Sequence, residues 1–369
     1  MASAAWEEAR DERLKPTSPL RRLMARPELG AVGGFVLVLL FFAVVAGDTG
    51  LFSALGIINF LEVSAQLGII AVAAALLMIG GEFDLSVGSM IGFAGIVIAI
   101  PAVEWGWPLW MSILLAFAVA LMVGWINGTI VMRTGLPSFI VTLGGLFILR
   151  GLTIGITRWL TGRTQIPGLR EAAEGDWLAP LFSAKVGQGL MQWLGDAGWI
   201  AVRADGVPLA SGIPMSIIWW LTLTALATWV LLRTRLGNWI FACGGDAQAA
   251  RNVGVPVARV KTGLFMFTAV AATIFAAVQT LSVGSADVLR GQLKEFEAII
   301  AAVIGGCLLT GGYGSAIGAT FGALIFGTVQ MGIFYTGVNT DWFKVFLGVM
   351  MLVAVLFNNY VRRKATEGR

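Results

Sequence analysis

Long apolar runs, separated by short clusters of polar residues, glycine and proline, make up most of this chain. A helix that crosses a bilayer needs about 20 predominantly apolar residues. On that measure the runs predict ten crossings, at about 29–47, 57–79, 88–100, 109–132, 138–156, 214–232, 262–283, 297–309, 315–335 and 342–358. The run 297–309 is short and open to a broken or re-entrant course. Eight crossings with two re-entrant segments would leave the chain ends on the same side. The polar stretches are an arm at 1–28, a long loop at 157–213, a basic loop at 233–261 and a basic tail at 359–369. The expected fold class is therefore an all-α polytopic membrane protein whose membrane domain spans 29–358. Trp105, Trp107 and Trp110, at the turn 101–108, suit anchors at the membrane–water interface.

Composition strengthens this picture. The chain is 57% hydrophobic and 12% charged, against roughly 25% charged in soluble domains, and its mean hydropathy is +0.85. Its 48 glycines suit close approach of membrane helices. The net charge of +4 would also suit nucleic acid, but Lys and Arg cluster at the edges of the apolar runs, as membrane orientation requires, so no nucleic-acid partner is expected. Ten crossings put both ends on one side with sixteen Lys and Arg, against eight on the other and Arg150 within a segment. The excess marks the cytoplasmic side, so both termini are expected in the cytoplasm. Residues 1–28 lack the pattern of a cleavable signal peptide. There is no His, and Cys243 and Cys307 have neither metal nor redox spacing, so no metal site and no catalytic centre is expected.

Three stretches break the apolar pattern. In Gly81-Glu82-Phe83-Asp84-Leu85-Ser86-Val87-Gly88-Ser89, Asp84 or Ser86 suits a cap on the helix that follows, and a broken backbone at this depth also suits the lining of a passage. In the second, from Arg233 to Val255, Gly244-Gly245 is expected to break the chain, Asp246 is an N-cap residue, Ala247–Ala250 favour helix, and Gly254 with Pro256 ends it. This predicts a two-turn helix lying along the cytoplasmic face, which taken alone suits a connector. The third, Gly305-Gly306 through Gly311-Gly312-Tyr313-Gly314, lacks the Lys-Ser/Thr of a phosphate-binding loop. Gly314, Gly318 and Gly322 instead predict small-residue packing on one helix face.

These stretches, in this order, resemble the permeases of the ribose/simple-sugar ABC importer family. The resemblance rests on Gly81–Gly88 with one residue more than the family's Gly-x-Asp-Leu-Ser-Val-Gly, on Thr234–Gly237 leading to Gly244–Ala250, and on Gly305–Gly314. It covers about residues 50–358 and departs at about 161–210, where this chain is longer. It implies a permease of a bacterial inner membrane that moves a pentose, hexose or related polyol inward. It implies a second permease copy, two ABC ATPase subunits below and a periplasmic sugar-binding protein above. The permease itself binds no cofactor, with ATP and Mg on the partner subunits. Gly244, Gly245, Asp246, Ala247, Gln248, Ala249, Ala250, Arg251 and Asn252 would form the coupling helix seated on the ATPase. Asp84, Ser86 and Gly88 would serve as cap or pathway.

Polar side chains inside apolar segments are costly in hydrocarbon, so Asn59, Gln66, Asn127, Thr142, Gln279 and Gln330 are candidates for the translocation pathway, some of them satisfying helix–helix hydrogen bonds instead. The alternative class is an ion-coupled secondary transporter of small polar solutes. It would depend on ionisable residues such as Glu62, Asp84 or Glu297 inside the membrane.

Overall fold

The structure is a computed structural model that describes residues 27–339, 341–346, 348–349 and 352. The arm (all but its last two residues), the basic tail and most of the tenth expected crossing lie outside the described residues. Among the described residues, eight helices are long and apolar enough to cross a membrane. They are α1 (Pro27–Val45), α2 (Ala54–Ile79), α3 (Val87–Ala99, continued by a π-helical turn to Glu104), α4 (Leu109–Thr134), α5 (Ser138–Thr161), α9 (Met215–Arg233), α12 (Val257–Val283) and α14 (Ala316–Tyr335). The long loop adds β1 (Gln165–Pro167), α6 (Leu169–Ala173), α7 (Pro180–Ser183), β2 (Lys185–Val186), α8 (Gln188–Asp196) and β3 (Ile213–Pro214). Between α9 and α12 lie α10 (Arg235–Gly245) and α11 (Ala247–Asn252), and between α12 and α14 lie β4 (Ser285–Asp287) and α13 (Lys294–Ile304).

Helices α2, α3, α12 and α14 form the buried centre, while α1, α4, α5 and α9 turn apolar side chains such as Leu37, Phe41, Phe147 and Leu221 outward. An apolar outer face is stable only in lipid, and between lipid-solvated helices packing replaces the hydrophobic effect as the driving force. Glycine supplies that packing. A Cβ at Gly124 of α4 would stand 2.5 Å from the Met266 Cα of α12, and one at Gly128 2.7 Å from the Thr262 Cα. Buried hydroxyls of Thr142, Thr153, Thr157 and Thr280 donate to carbonyls four residues back in their own helices, so they enter the bundle without an unpaired donor.

One passage across the bundle is not a helix. After α12, β4 pairs antiparallel with β1, placing Ile166 opposite Ala286 at the end that carries the long loop. The chain then runs down α3, where a Cβ at Gly92 would stand 2.8 Å from the Arg290 carbonyl oxygen and one at Gly88 would collide with Gly291 and Glu295. Leu293, the one non-glycine residue with positive φ among those described (66°), turns the chain into α13. The opposite end is reached beyond Gly305–Gly306, where the Gly312 N–H donates to the Ile79 carbonyl. The short run expected at 297–309 is thus the helical half of a broken crossing. Its 11 residues rise about 16 Å, roughly half the hydrocarbon thickness.

Two local expectations need correction. Gly314 precedes α14 and packs on Cys307 and Ile79, so only Gly318 and Gly322 pack α14 onto α13, against Gly305 and Ala301. Gly244-Gly245 does not break the chain but closes α10, a helix that the basic composition of the stretch had concealed.

Candidate functional site

The end of the bundle opposite the long loop carries an exposed, tethered helix. Thr234 opens α10 by accepting from the Gly237 N–H at 3.2 Å. Asp246 then turns the chain and caps α11, its Oδ1 accepting from Gln248 N at 2.8 Å and Ala249 N at 2.9 Å. Ala250 is buried, whereas Gln248, Ala249, Arg251 and Asn252 face outward. The sequence placed this helix and its cap correctly, because both depend on neighbours within three or four residues.

Glycines tie this helix to the bundle. Gly244 lies against the Ile79 carbonyl and the Gly312 N–H, so that a side chain there would displace both. A Cβ at Gly311 would stand 2.7 Å from the Gly81 Cα and 2.8 Å from the Gly244 oxygen. Gly81 and Gly311 both hold φ of +82°, a region that glycine enters freely. Backbones of α2, α10 and the 305–314 loop therefore meet with no side chains between them. Beside this junction Lys261 of α12 forms an ion pair with Glu82, with side-chain exposures of 8% and 12%.

The loop from Glu82 to Ser86 is held from several sides. Phe83 N donates to Ser138 Oγ and Leu85 N to Thr142 Oγ1, each at 3.0 Å. Asp84 is 7% exposed; its Oδ1 accepts from Ser86 N at 2.9 Å and from Ser86 Oγ, and its Oδ2 from Thr268 Oγ1 at 2.8 Å. Asn127 Nδ2 donates to Ser86 Oγ at 3.0 Å. Of the two expected caps, Ser86 is at the N-cap position but makes no side-chain capping bond, whereas Asp84 accepts from the N–H of Ser86 at the start of the helix. A buried loop must satisfy its backbone inside the protein, and here α5 supplies the partners of Phe83 N and Leu85 N, while α4 and α12 bond to the side chains of Ser86 and Asp84. Gly88 takes no polar part. Its missing side chain makes room for Glu295.

The other pathway candidates are scattered. Asn59 Nδ2 donates to Tyr335 Oη at 3.2 Å, and Gln279 Nε2 approaches Gln66 Oε1 at 3.5 Å. Asn127 and Thr142 belong to the Asp84 loop. Gln330 lines a surface groove with Met331, Phe334 and Phe343. Most of these side chains therefore join elements together. The sequence reading passed over Glu295, buried in the broken crossing, and gave no role to Arg150, whose Nε donates to Ser89 Oγ at 3.3 Å. Charge at membrane depth was the signal for both.

At the other end the long loop divides in two. Asp176 Oδ2 accepts from Trp110 N at 2.9 Å, capping α4 across 66 positions, and Trp219 Nε1 donates to the Leu181 carbonyl. Residues 165–183 are thus part of the bundle's end. The remainder leaves and returns through the β2–β3 ladder, Lys185 opposite Pro214. Trp159, Trp177, Trp193 and Trp199 are all exposed.

Comparison with known proteins agrees with the motifs. Residues 56–355 match the family model described as the permease component of branched-chain amino acid transport systems. The chain is 31% identical over 363 residues to the xylose transport system permease of Escherichia coli (strain K12), covering 90% of this chain and 92% of that protein. It is 30% identical over 346 residues to the ribose import permease of the same organism, covering 92% and 97%. It is 28% identical over 330 residues to the fructose import permease of Rhizobium meliloti, covering 89% and 84%. No solved structure matches.

Proposed function

The chain belongs to the permease family of the simple-sugar ABC importers, and on that premise we propose that it carries a pentose, hexose or related polyol inward as one of two permease copies. ATP is hydrolysed by partner ATPase subunits on the cytoplasmic side, and a periplasmic binding protein delivers the sugar to the loop end. Both termini lie in the cytoplasm of a bacterium and the bundle spans its inner membrane, a placement supported by the excess of Lys and Arg at the α11 end.

The observation that carries this reading is α11 with its tether. A capped helix of six residues, exposed on one side and joined to the bundle by glycine backbones, receives a push from outside the membrane and passes it to α2 and to the 305–314 loop. Gly244 to Asn252 would be seated on the ATPase as the coupling helix, and the Glu82–Ser86 loop lies one step further along the same contacts.

The test is uptake by membrane vesicles that hold the permease with its ATPase and binding protein. Labelled D-xylose, D-ribose and D-fructose are offered in turn. The expected result is uptake that requires ATP inside and survives collapse of the ion gradients. Uptake driven by an ion gradient without ATP would establish the ion-coupled class instead.

A further inference from the structure

Glu295 is a charge that helix packing leaves unexplained. It is 4% exposed, and its Oε2 is buried with no hydrogen-bond partner among the described residues. A carboxylate oxygen in that state is expensive. Lys294, its neighbour in the chain, pairs with Glu297 instead, and no ion pair to Glu295 occurs among the described residues. The carboxylate lies against the bare Cα of Gly88, in space that any side chain there would fill.

Arg150 of α5 approaches the same spot. Its Nε donates to Ser89 Oγ, one residue after Gly88, and its charge reaches Glu295, yet no ion pair joins the two among the described residues. The spot lies well inside the bundle. Glu295 lies nine positions before Ile304 in α13, about 14 Å of helix, and the β1–β4 ladder lies on its other side. Non-helical backbone at membrane depth occurs where it is buried or lines a passage, and discontinuous crossings are where transporters place solute contacts.

We propose that Glu295 and Arg150, with Ser89 beside them, form a hydroxyl-binding station inside the bundle. The carboxylate accepts from one hydroxyl of the passing solute while the guanidinium donates to the next. A free acceptor beside free donors complements a vicinal diol, each carbon of which carries an O–H that both donates and accepts. This assignment rests on the sugar-import reading above and names the contact that reading lacks.

The experiment uses the whole importer in proteoliposomes, with D-xylose, D-ribose and D-fructose as labelled probes and the 2-deoxy analogue of ribose as competitor. Glu295→Gln keeps the shape against Gly88 and removes the charge. Uptake is expected to fall about ten- to hundredfold, the factor carried by hydrogen bonds to a charged group, with a weaker preference for ribose over its 2-deoxy analogue. Assembly, Tm and the ATP hydrolysis evoked by loaded binding protein should hold. Arg150→Gln should give the same split.

Wild-type uptake and discrimination in both variants would overturn the station and leave the sugar-import reading standing. Uptake, hydrolysis and Tm falling together would also overturn it, because lost packing produces that pattern. Import of a solute without hydroxyls by the wild type, and of none of the three sugars, would overturn both readings.

Discussion

At the scale of single residues, the chain separates side chains that stabilise their own element from those that join distant ones. Asp246 is the clearest of the first kind, with both acceptances going to N–H groups two and three residues ahead. Asp246→Ala should cost α11 about 0.5–2 kcal/mol, which unravels the helix locally without unfolding the bundle. Hydrogen exchange at Gln248 and Ala249 should quicken while exchange in α12 stays unchanged. Equal exchange in variant and parent would show that the cap is idle. Asp84 is of the second kind. Its partner Thr268 lies 184 positions away, and nothing in the sequence around Asp84 names it. Neighbours in the sequence account for the acceptance from Ser86 N at the start of the helix, but not for the tie to Thr268.

At the scale of elements, the proposed coupling and docking roles fall to α11 and the outer part of the long loop. Ala249→Pro sets a ring and a missing N–H into a six-residue helix, costing about 3 kcal/mol. That exceeds the loss of the cap. The permease should still reach the membrane, because α11 contributes only Ala250 to the buried interior. Co-purification of the ATPase and sugar uptake should both fall. Normal recovery and uptake would reduce α11 to a connector.

The loop prediction follows from its division in two. Residues 165–183 cap α4 and hold Trp219, so they cannot be cut without harm to the bundle. Residues 187–212 leave and return through Lys185 and Pro214, which are paired, so a short turn can replace them. That excision should preserve insertion and Tm and weaken uptake stimulated by the binding protein. Full uptake at low binding-protein concentration would show that the binding protein does not use this segment, with its exposed Trp193 and Trp199.

At the scale of the whole molecule the testable property is sidedness. Both cysteines are buried. Burial raises the Cys243 thiol above its ordinary pKa, opposed by Lys261 and Arg251, and pushes the Cys307 thiol up to about 12. A raised thiol pKa keeps the group protonated, so at pH 8 only about one Cys307 in ten thousand is the reactive thiolate. The native chain should resist maleimide and serve as its own background. Cysteine placed at Ser211 should then label from outside intact cells, and cysteine at Gln248 only after the membrane is opened. The reverse pattern would invert the topology, and with it the assignment of α11 to the ATPase side.

The sequence by itself determined where the eight long apolar helices among the described residues lie, which end carries the cations, and that α11 exists with Asp246 as its cap. Each depends on a property of adjacent residues: the length of an apolar run, the charge at its edges, a side chain within reach of the next N–H groups. Only the tertiary structure decided that residues 285–304 cross as a ladder, a turn and half a helix, because β4 needs β1, 120 positions earlier, to satisfy its backbone. It alone joined Gly81, Gly244 and Gly311, and it alone set Glu295 against Gly88 with no ion pair among the described residues. A glycine's use at such a place lies in the backbone that fills the missing side chain's space, and that backbone comes from another part of the chain.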